Sequence, residues 1–310
     1  MSKKIVITEF MDLPAVESLR SGGFDVVYDP NLVDDLPRLM RQAADADAVI
    51  VRNRTQVRGE LLAAFAKAKV IGRLGVGLDN IDGPACEARG IRVIPATGAN
   101  ALAVAEYVVA TAMLLLRGAY QASAQVANGG WPRSALSNGR EAGGKTMGLV
   151  GFGGIGQLSA KLANGLGIQV IASDPVLPAD APVWQALGVR RVELDELLSA
   201  ADIVSLHVPA TAQTKNLLSA ERIACMKPGA VVINTARGGI ADEAALADAI
   251  RGGRLGGAAF DVFEPEPLPA GNVWADCPNV ILTPHIAGVT AESNTRVSTL
   301  IAAEVAKALA

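Results

Sequence analysis

Six consecutive residues, Gly151-Phe152-Gly153-Gly154-Ile155-Gly156, carry the spacing G-x-G-x-x-G. With 32 glycines in 310 residues, random placement alone gives roughly 0.3 such matches, so the context has to decide. The match follows an apolar run at 147–150 that reads as a strand, and it opens a stretch at 157–165 that reads as a helix. Asp174 stands 18 residues past Gly156, at the end of the next apolar run. In a strand–turn–helix of this kind the first glycine permits a tight turn and the second admits a pyrophosphate. The third lets helix and strand approach, and the helix N-terminus faces the phosphates. Asp174 would accept hydrogen bonds from the adenosine ribose and repel a 2′-phosphate. Residues 175–177, Pro-Val-Leu, offer no cation to hold such a phosphate, so the expected cofactor is NAD rather than NADP.

The elements that would position this turn recur along the chain. Short apolar runs alternate with amphipathic stretches, the signature of βαβ units and a parallel sheet. A first set of strands is predicted at 5–7, 26–28, 48–52, 70–74 and 93–95, with helices at 14–20, 35–44, 59–68 and 83–88. A second set of six is predicted at 146–151, 169–172, 203–207, 230–234, 257–261 and 280–282. An apolar helix at 101–116 lies between the sets as a linker, and a last helix at 291–308 closes the chain.

Composition narrows the function classes. Lys+Arg 28 against Asp+Glu 31 leaves a net charge of −3, so no basic surplus points to nucleic acid or an anionic membrane. Cys86, Cys225 and Cys277 are far apart without a C-x-x-C pair, which supports neither a disulfide framework nor a zinc ribbon. His207 and His285 are the only histidines, leaving little material for a catalytic metal, and none is expected. The apolar run 101–116 is interrupted by Glu106 and is shorter than the roughly 20 residues a membrane span needs. A cytoplasmic protein is expected.

Further blocks are ordered along the chain. They are Gly72-Arg73-Leu74-Gly75-Val76-Gly77-Leu78-Asp79-Asn80-Ile81-Asp82, Asn100-Ala101 with Val104-Ala105-Glu106, and His207-Val208-Pro209 with Thr211 and Thr214. Asn234-Thr235-Ala236-Arg237-Gly238-Gly239, Asp261-Val262-Phe263-Glu264-Pro265-Glu266-Pro267-Leu268 and Pro284-His285-Ile286-Ala287-Gly288 follow. With the glycine turn, these blocks make the chain resemble the D-isomer-specific 2-hydroxyacid dehydrogenases over essentially its whole length, the phosphoglycerate dehydrogenases among them. The resemblance implies an α/β fold of two doubly wound domains. One is a discontinuous, flavodoxin-like substrate domain (1–98 plus 289–310), and the other a Rossmann NAD-binding domain (99–288).

The resemblance assigns catalysis to Arg237, Glu266 and His285, and residue chemistry supports each. A guanidinium fork can anchor the carboxylate of a 2-oxo acid and polarise its carbonyl. An imidazolium is suited to protonate the alkoxide that hydride addition leaves, and a neighbouring carboxylate stabilises that cation. The implied cofactor contacts are Val76, Gly151, Gly153, Gly154, Ile155, Gly156, Asp174, His207, Pro209, Thr214, Thr235, Ala236, Arg237, Asp261, His285 and Gly288. The implied substrate contacts are Arg52, Arg54, Arg73, Gly75, Val76, Gly77, Asn100, Arg237 and His285. The family more often has a small residue at the position of Arg54. Two arginines at 52 and 54 suggest a substrate with a distal phosphate, carboxylate or sulfonate. The opening 7–12, with 28–30 and 32–34, is similar to a subgroup that includes sulfolactate dehydrogenases.

Two alternatives share these features: an NAD-sensing, corepressor-like binding protein, and a hydroxypyruvate or glyoxylate reductase. The complete Arg–Glu–His set favours turnover over sensing. The expected partners are a small 2-hydroxy or 2-oxo acid and a second copy of the chain, with neither nucleic acid nor membrane. The homodimer is expected because helix 101–116 and the glycine-rich passage to Gly144 would otherwise expose apolar surface.

Overall fold

The computed structural model describes residues 2–310 and divides into two compact units. One runs up to Asn100 and resumes at Val289–Ala310; the other is Ala101–Gly288. Each is a parallel sheet covered by helices on both faces.

The first unit contains β1 (Lys4–Ile7), β2 (Asp25–Tyr28), β3 (Ala48–Val51), β4 (Val70–Arg73) and β5 (Arg92–Pro95), in the order β2-β1-β3-β4-β5. Because strand side chains alternate in direction, one sequence run feeds two cores. Ile5, Ile7 and Ile50 pack with Val16, Leu19, Ile301 and Val305, so the helix Ala291–Leu309 belongs to this unit's core. Val6, Val49 and Val51 face the other way, against Leu39, Leu61 and Phe65. Slipping one strand by one residue would exchange the two faces, which fixes the register.

The second unit contains β6 (Thr146–Val150), β7 (Gln169–Ser173), β8 (Arg190–Arg191), β9 (Ile203–Leu206), β10 (Val231–Asn234), β11 (Gly257–Phe260) and β12 (Val280–Leu282). Their order is β12-β11-β10-β9-β6-β7-β8, all parallel. The direction of winding reverses between β6 and β9, which makes this a doubly wound dinucleotide-binding sheet. The sheet has seven strands where sequence pattern predicted six. The extra one, β8, is two exposed arginines pairing with Ile171 and Ala172, and it carries no apolar run to reveal it.

The helix Ala101–Arg117 is not a free linker. It packs on helix Gly154–Gly165 and on β10 and β11, burying Ala105, Val108, Ala112, Leu115 and Leu116 inside the second unit. The exposed apolar side chains lie at Leu102 and Met113 and, beyond the helix, at Tyr120, Val126 and Trp131. Among the described residues no single helix is long and apolar enough to cross a membrane.

Candidate active site

The glycine turn joins β6 to helix Gly154–Gly165. Gly151 has φ +95°, and a Cβ there would lie 2.7 Å from the carbonyl oxygen of His207. A Cβ at Gly156 would lie 2.7 Å from the carbonyl oxygen of Gly151. Around Gly153, by contrast, there is open space, and this N-cap residue leaves the first helical amides without a side-chain cap. Two positions are closed to any side chain and one is open beside helix amides that the N-cap side chain does not cap, the arrangement a pyrophosphate needs. Thr235 Oγ1 adds a buried hydroxyl without a partner among the described residues.

Asp174 follows β7. Its Oδ2 accepts from the amide of Phe152 (2.7 Å), and its Oδ1 from those of Val176 (2.8 Å) and Leu177 (3.0 Å). Burial pushes its pKa up, but the amides of Phe152, Leu177 and Val176, with the charge of Arg191, outweigh that and lower it. Asp174 therefore stays ionised while bracing the glycine turn. Arg191 is a cation that residues 175–177 gave no hint of, because β8 brings it in from 17 residues downstream.

Arg237, Glu266 and His285 come from three successive loops at the carboxyl ends of β10, β11 and β12, neighbours in the sheet. The buried Asn234 shapes the first loop: its Oδ1 accepts from Ala236 N (3.0 Å), and its Nδ2 donates to Arg237 O (2.8 Å). Arg237 Nη1 donates to Ala236 O at 2.6 Å. A Cβ at Gly238 would overlap the backbone of Phe263 and Glu264, so this loop lies directly on the one that carries Glu266.

Glu266 Oε1 accepts from Phe263 N at 3.0 Å, and its Oε2 meets His285 Nδ1 at 2.8 Å. Both side chains are accessible, 37% for Glu266 and 51% for His285. With Nδ1 held by the carboxylate, Nε2 is the nitrogen left to address a ligand. His285 has φ +57°, a left-handed conformation that costs a non-glycine residue and persists only where the surroundings enforce it. The enforcing group is Asp261, 1% exposed. It accepts from Thr283 Oγ1 (2.6 Å), Ile286 N (2.8 Å) and Ala287 N (2.8 Å), and so grips the chain on both sides of His285. Tyr107 donates to the Thr283 hydroxyl at 2.7 Å, extending the chain of hydrogen bonds. Sequence reading pointed Asp261 at the cofactor and passed over Tyr107 and Thr283, whose partners lie more than 20 residues away.

His207 is half-buried, with Nε2 2.9 Å from Ser205 Oγ, and loss of solvent around the ring lowers its pKa to about 4. It is a neutral wall residue. Thr214 closes a turn on itself, donating to Pro209 O at 2.5 Å and accepting from Thr211 N at 2.8 Å. Ile155 opens the helix beside Gly154, and Gly288 closes the loop past His285.

The expected substrate contacts of the first unit lie at or past the carboxyl ends of β3, β4 and β5. Arg52 is half-buried and donates Nη2 to Asn294 Oδ1 at 2.9 Å. Arg54 is exposed and ion-paired with Asp34. Arg73 donates Nη1 to Leu74 O at 2.9 Å, next to the Gly75-Val76-Gly77 turn. Asn100 ends the first stretch of this unit, with Oδ1 buried and unpartnered among the described residues.

A doubly wound sheet of this order, with such a glycine turn at the switch between β6 and β9, is the arrangement of a dinucleotide-binding domain. Residues 109–287 match the model of the D-isomer specific 2-hydroxyacid dehydrogenase NAD binding domain. The chain is 52% identical to the (S)-sulfolactate dehydrogenase of Chromohalobacter salexigens, over 98% of each protein. It is 43% identical to the D-3-phosphoglycerate dehydrogenase of Mycobacterium tuberculosis over 89% of this chain, spanning 52% of that longer protein. A crystal structure of a Thermus thermophilus protein superposes with a TM-score of 0.88 at 33% identity, covering 99% of this chain and 96% of that one. The chain belongs to the D-isomer-specific 2-hydroxyacid dehydrogenases, NAD-dependent oxidoreductases that interconvert 2-hydroxy and 2-oxo acids.

Proposed function

We propose that this chain acts on a short 2-hydroxy acid bearing a second oxyanion, of the sulfolactate or 3-phosphoglycerate type, with Glu266 and His285 as its proton relay. The observation that carries the reading is the 2.8 Å contact between His285 Nδ1 and Glu266 Oε2. NAD, when bound, takes up or supplies the hydride. Arg237 anchors the substrate carboxylate and polarises the carbonyl, since a guanidinium offers paired, permanently charged donors. During reduction His285 gives a proton from Nε2 to the developing alkoxide, and Glu266 stabilises the imidazolium that must be present beforehand. During oxidation neutral His285 takes the hydroxyl proton through the same nitrogen.

The distal group is assigned to Arg52, with Arg73, the 75–77 turn and Asn100 as further substrate contacts. The full-length similarity to a sulfolactate dehydrogenase supports a sulfonate at that end. The exposed apolar side chains Tyr120, Val126 and Trp131 support a homodimer through the second unit. Three free thiols, at Cys86, Cys225 and Cys277, support a reducing, cytoplasmic setting.

The test is a panel of 2-oxo acids followed by loss of NADH absorbance: sulfopyruvate, phosphohydroxypyruvate, hydroxypyruvate, glyoxylate, pyruvate and oxaloacetate. Highest kcat/KM with sulfopyruvate or phosphohydroxypyruvate is expected. Preference for glyoxylate or hydroxypyruvate would return the chain to the short-substrate reductases.

A further inference from the structure

At the carboxyl ends of β1 and β3 the first unit holds a buried polar cluster that the roles above leave unused. The strand order β2-β1-β3-β4-β5 reverses between these two strands, and open α/β sheets bind ligands at such a switch point. Glu9, two residues past β1, is 4% exposed. Its Oε1 accepts from Arg52 N (2.9 Å), Thr55 N (3.0 Å) and Thr55 Oγ1 (2.8 Å), and its Oε2 from Arg54 N (3.0 Å). Asn80, 5% exposed, supplies the opposite polarity. Its Nδ2 donates to the carbonyls of Arg52 (3.0 Å) and Thr55 (2.7 Å). A carboxylate gathering the amides and an amide gathering the carbonyls hold the 52–55 loop from inside.

The two arginines on this loop have different fates. Arg54 is neutralised by Asp34, both of them more than half exposed. The Arg52 guanidinium lies 5.5 Å over the ring of Phe10 and donates to Asn294 Oδ1, in the first turns of the helix Ala291–Leu309. Asn294 is uncharged, so it fixes the guanidinium without adding a second counter-charge to that of the nearby Glu9 carboxylate. A cation–π contact with the ring and a single directed hydrogen bond set the direction of the remaining donors.

We propose that Glu9 and Asn294 are positioning residues for substrate specificity. Glu9 sets the loop and Asn294 sets the guanidinium, so that Arg52 receives the tetrahedral oxyanion, sulfonate or phosphate, at the far end of the substrate. The inference rests on the dehydrogenase reading above and adds how the first unit selects its acid.

The test compares kcat/KM for sulfopyruvate with that for glyoxylate, which has no distal group, in the wild type, Asn294→Ala, Asn294→Asp and Glu9→Gln. Loss of a directed contact to a charged group is worth about tenfold or more. The ratio should fall about tenfold in Asn294→Ala and further in Asn294→Asp, whose carboxylate would both pair with Arg52 and repel the oxyanion. Glu9→Gln should lower it as well, because one amide cannot accept at both of its ends. A merely structural residue would change the melting temperature while leaving the ratio alone. Ratios within twofold of wild type in both Asn294 variants would overturn the proposal, whether or not Glu9→Gln folds. Calorimetry with sulfoacetate, which has both anionic ends but no reducible carbonyl, separates this inference from the reaction itself. The wild type should bind it about tenfold more tightly than Asn294→Asp does, even if no 2-oxo acid is turned over. Equal affinities would sink the inference while leaving the dehydrogenase reading intact.

Discussion

Replacing Glu266 by Gln removes one charge and almost no volume, and the geometry shows why this should still be costly. Glu266 accepts twice, at Oε1 from Phe263 N and at Oε2 against His285 Nδ1. Gln has a single acceptor. If its oxygen stays on Phe263, its amide nitrogen confronts His285 Nδ1, and a protonated imidazole then meets donor with donor. If the amide flips to serve His285, the Phe263 amide loses its partner. Either way one charge-assisted contact worth about 1.5–3 kcal/mol is lost. The pair is a third to a half exposed, so solvent screening favours the lower end. At about 1.4 kcal/mol per decade, kcat for 2-oxo acid reduction should fall roughly tenfold to thirtyfold, with NADH affinity little changed because Glu266 is assigned no cofactor contact. The assay is steady-state NADH oxidation at saturating substrate, beside NADH binding by fluorescence. A kcat within twofold of wild type would falsify the relay.

Other consequences follow from the same geometry. Asp174→Ala should lower the NADH-to-NADPH ratio of kcat/KM about tenfold or more, since repulsion goes and Arg191 stays; an unchanged ratio would remove Asp174 as the discriminator. His207 has its pKa lowered by burial from 6.5 to about 4, so the unfolded chain takes up its proton first. That part of the stability is complete above about pH 6.5 and is lost as pH falls towards 4. Denaturant midpoints should therefore drop between pH 7.5 and 5, and less so in His207→Asn; equal drops would place the titration elsewhere. Trp131, 78% exposed, is expected at the subunit interface, so Trp131→Ala should weaken a dimer that light scattering finds in the wild type at micromolar concentration. A monomeric wild type would refute this.

What the sequence made legible was whatever is written in contiguous residues. Runs such as Ile5-Val6-Ile7 and Ile203-Val204-Ser205-Leu206 announce buried parallel strands because both faces of each sheet are covered. The glycine turn announces itself because its steric demands fall within six residues. β8 stayed hidden because Arg190 and Arg191 add only an exposed edge. The helix Ala101–Arg117 read as a linker because its apolar face shows burial without showing against what. The groups that support the site were the hardest to find. Glu9 meets its loop across 43 to 46 residues, Asn294 meets Arg52 across 242, and Tyr107 meets Thr283 across 176. Buried polar side chains take their meaning from partners that only the fold brings near, and no local spacing encodes them.

The role proposed for His285 is to deliver the proton that completes reduction of a 2-oxo acid by NADH. The most direct measurement mixes excess sulfopyruvate with enzyme-bound NADH in a stopped-flow spectrometer, for the wild type and for His285→Ala. Rapid loss of NADH absorbance is expected in the wild type. The variant should keep its NADH affinity but consume it roughly 10²–10⁴-fold more slowly. Equally fast consumption by His285→Ala would rule out His285 as the proton donor.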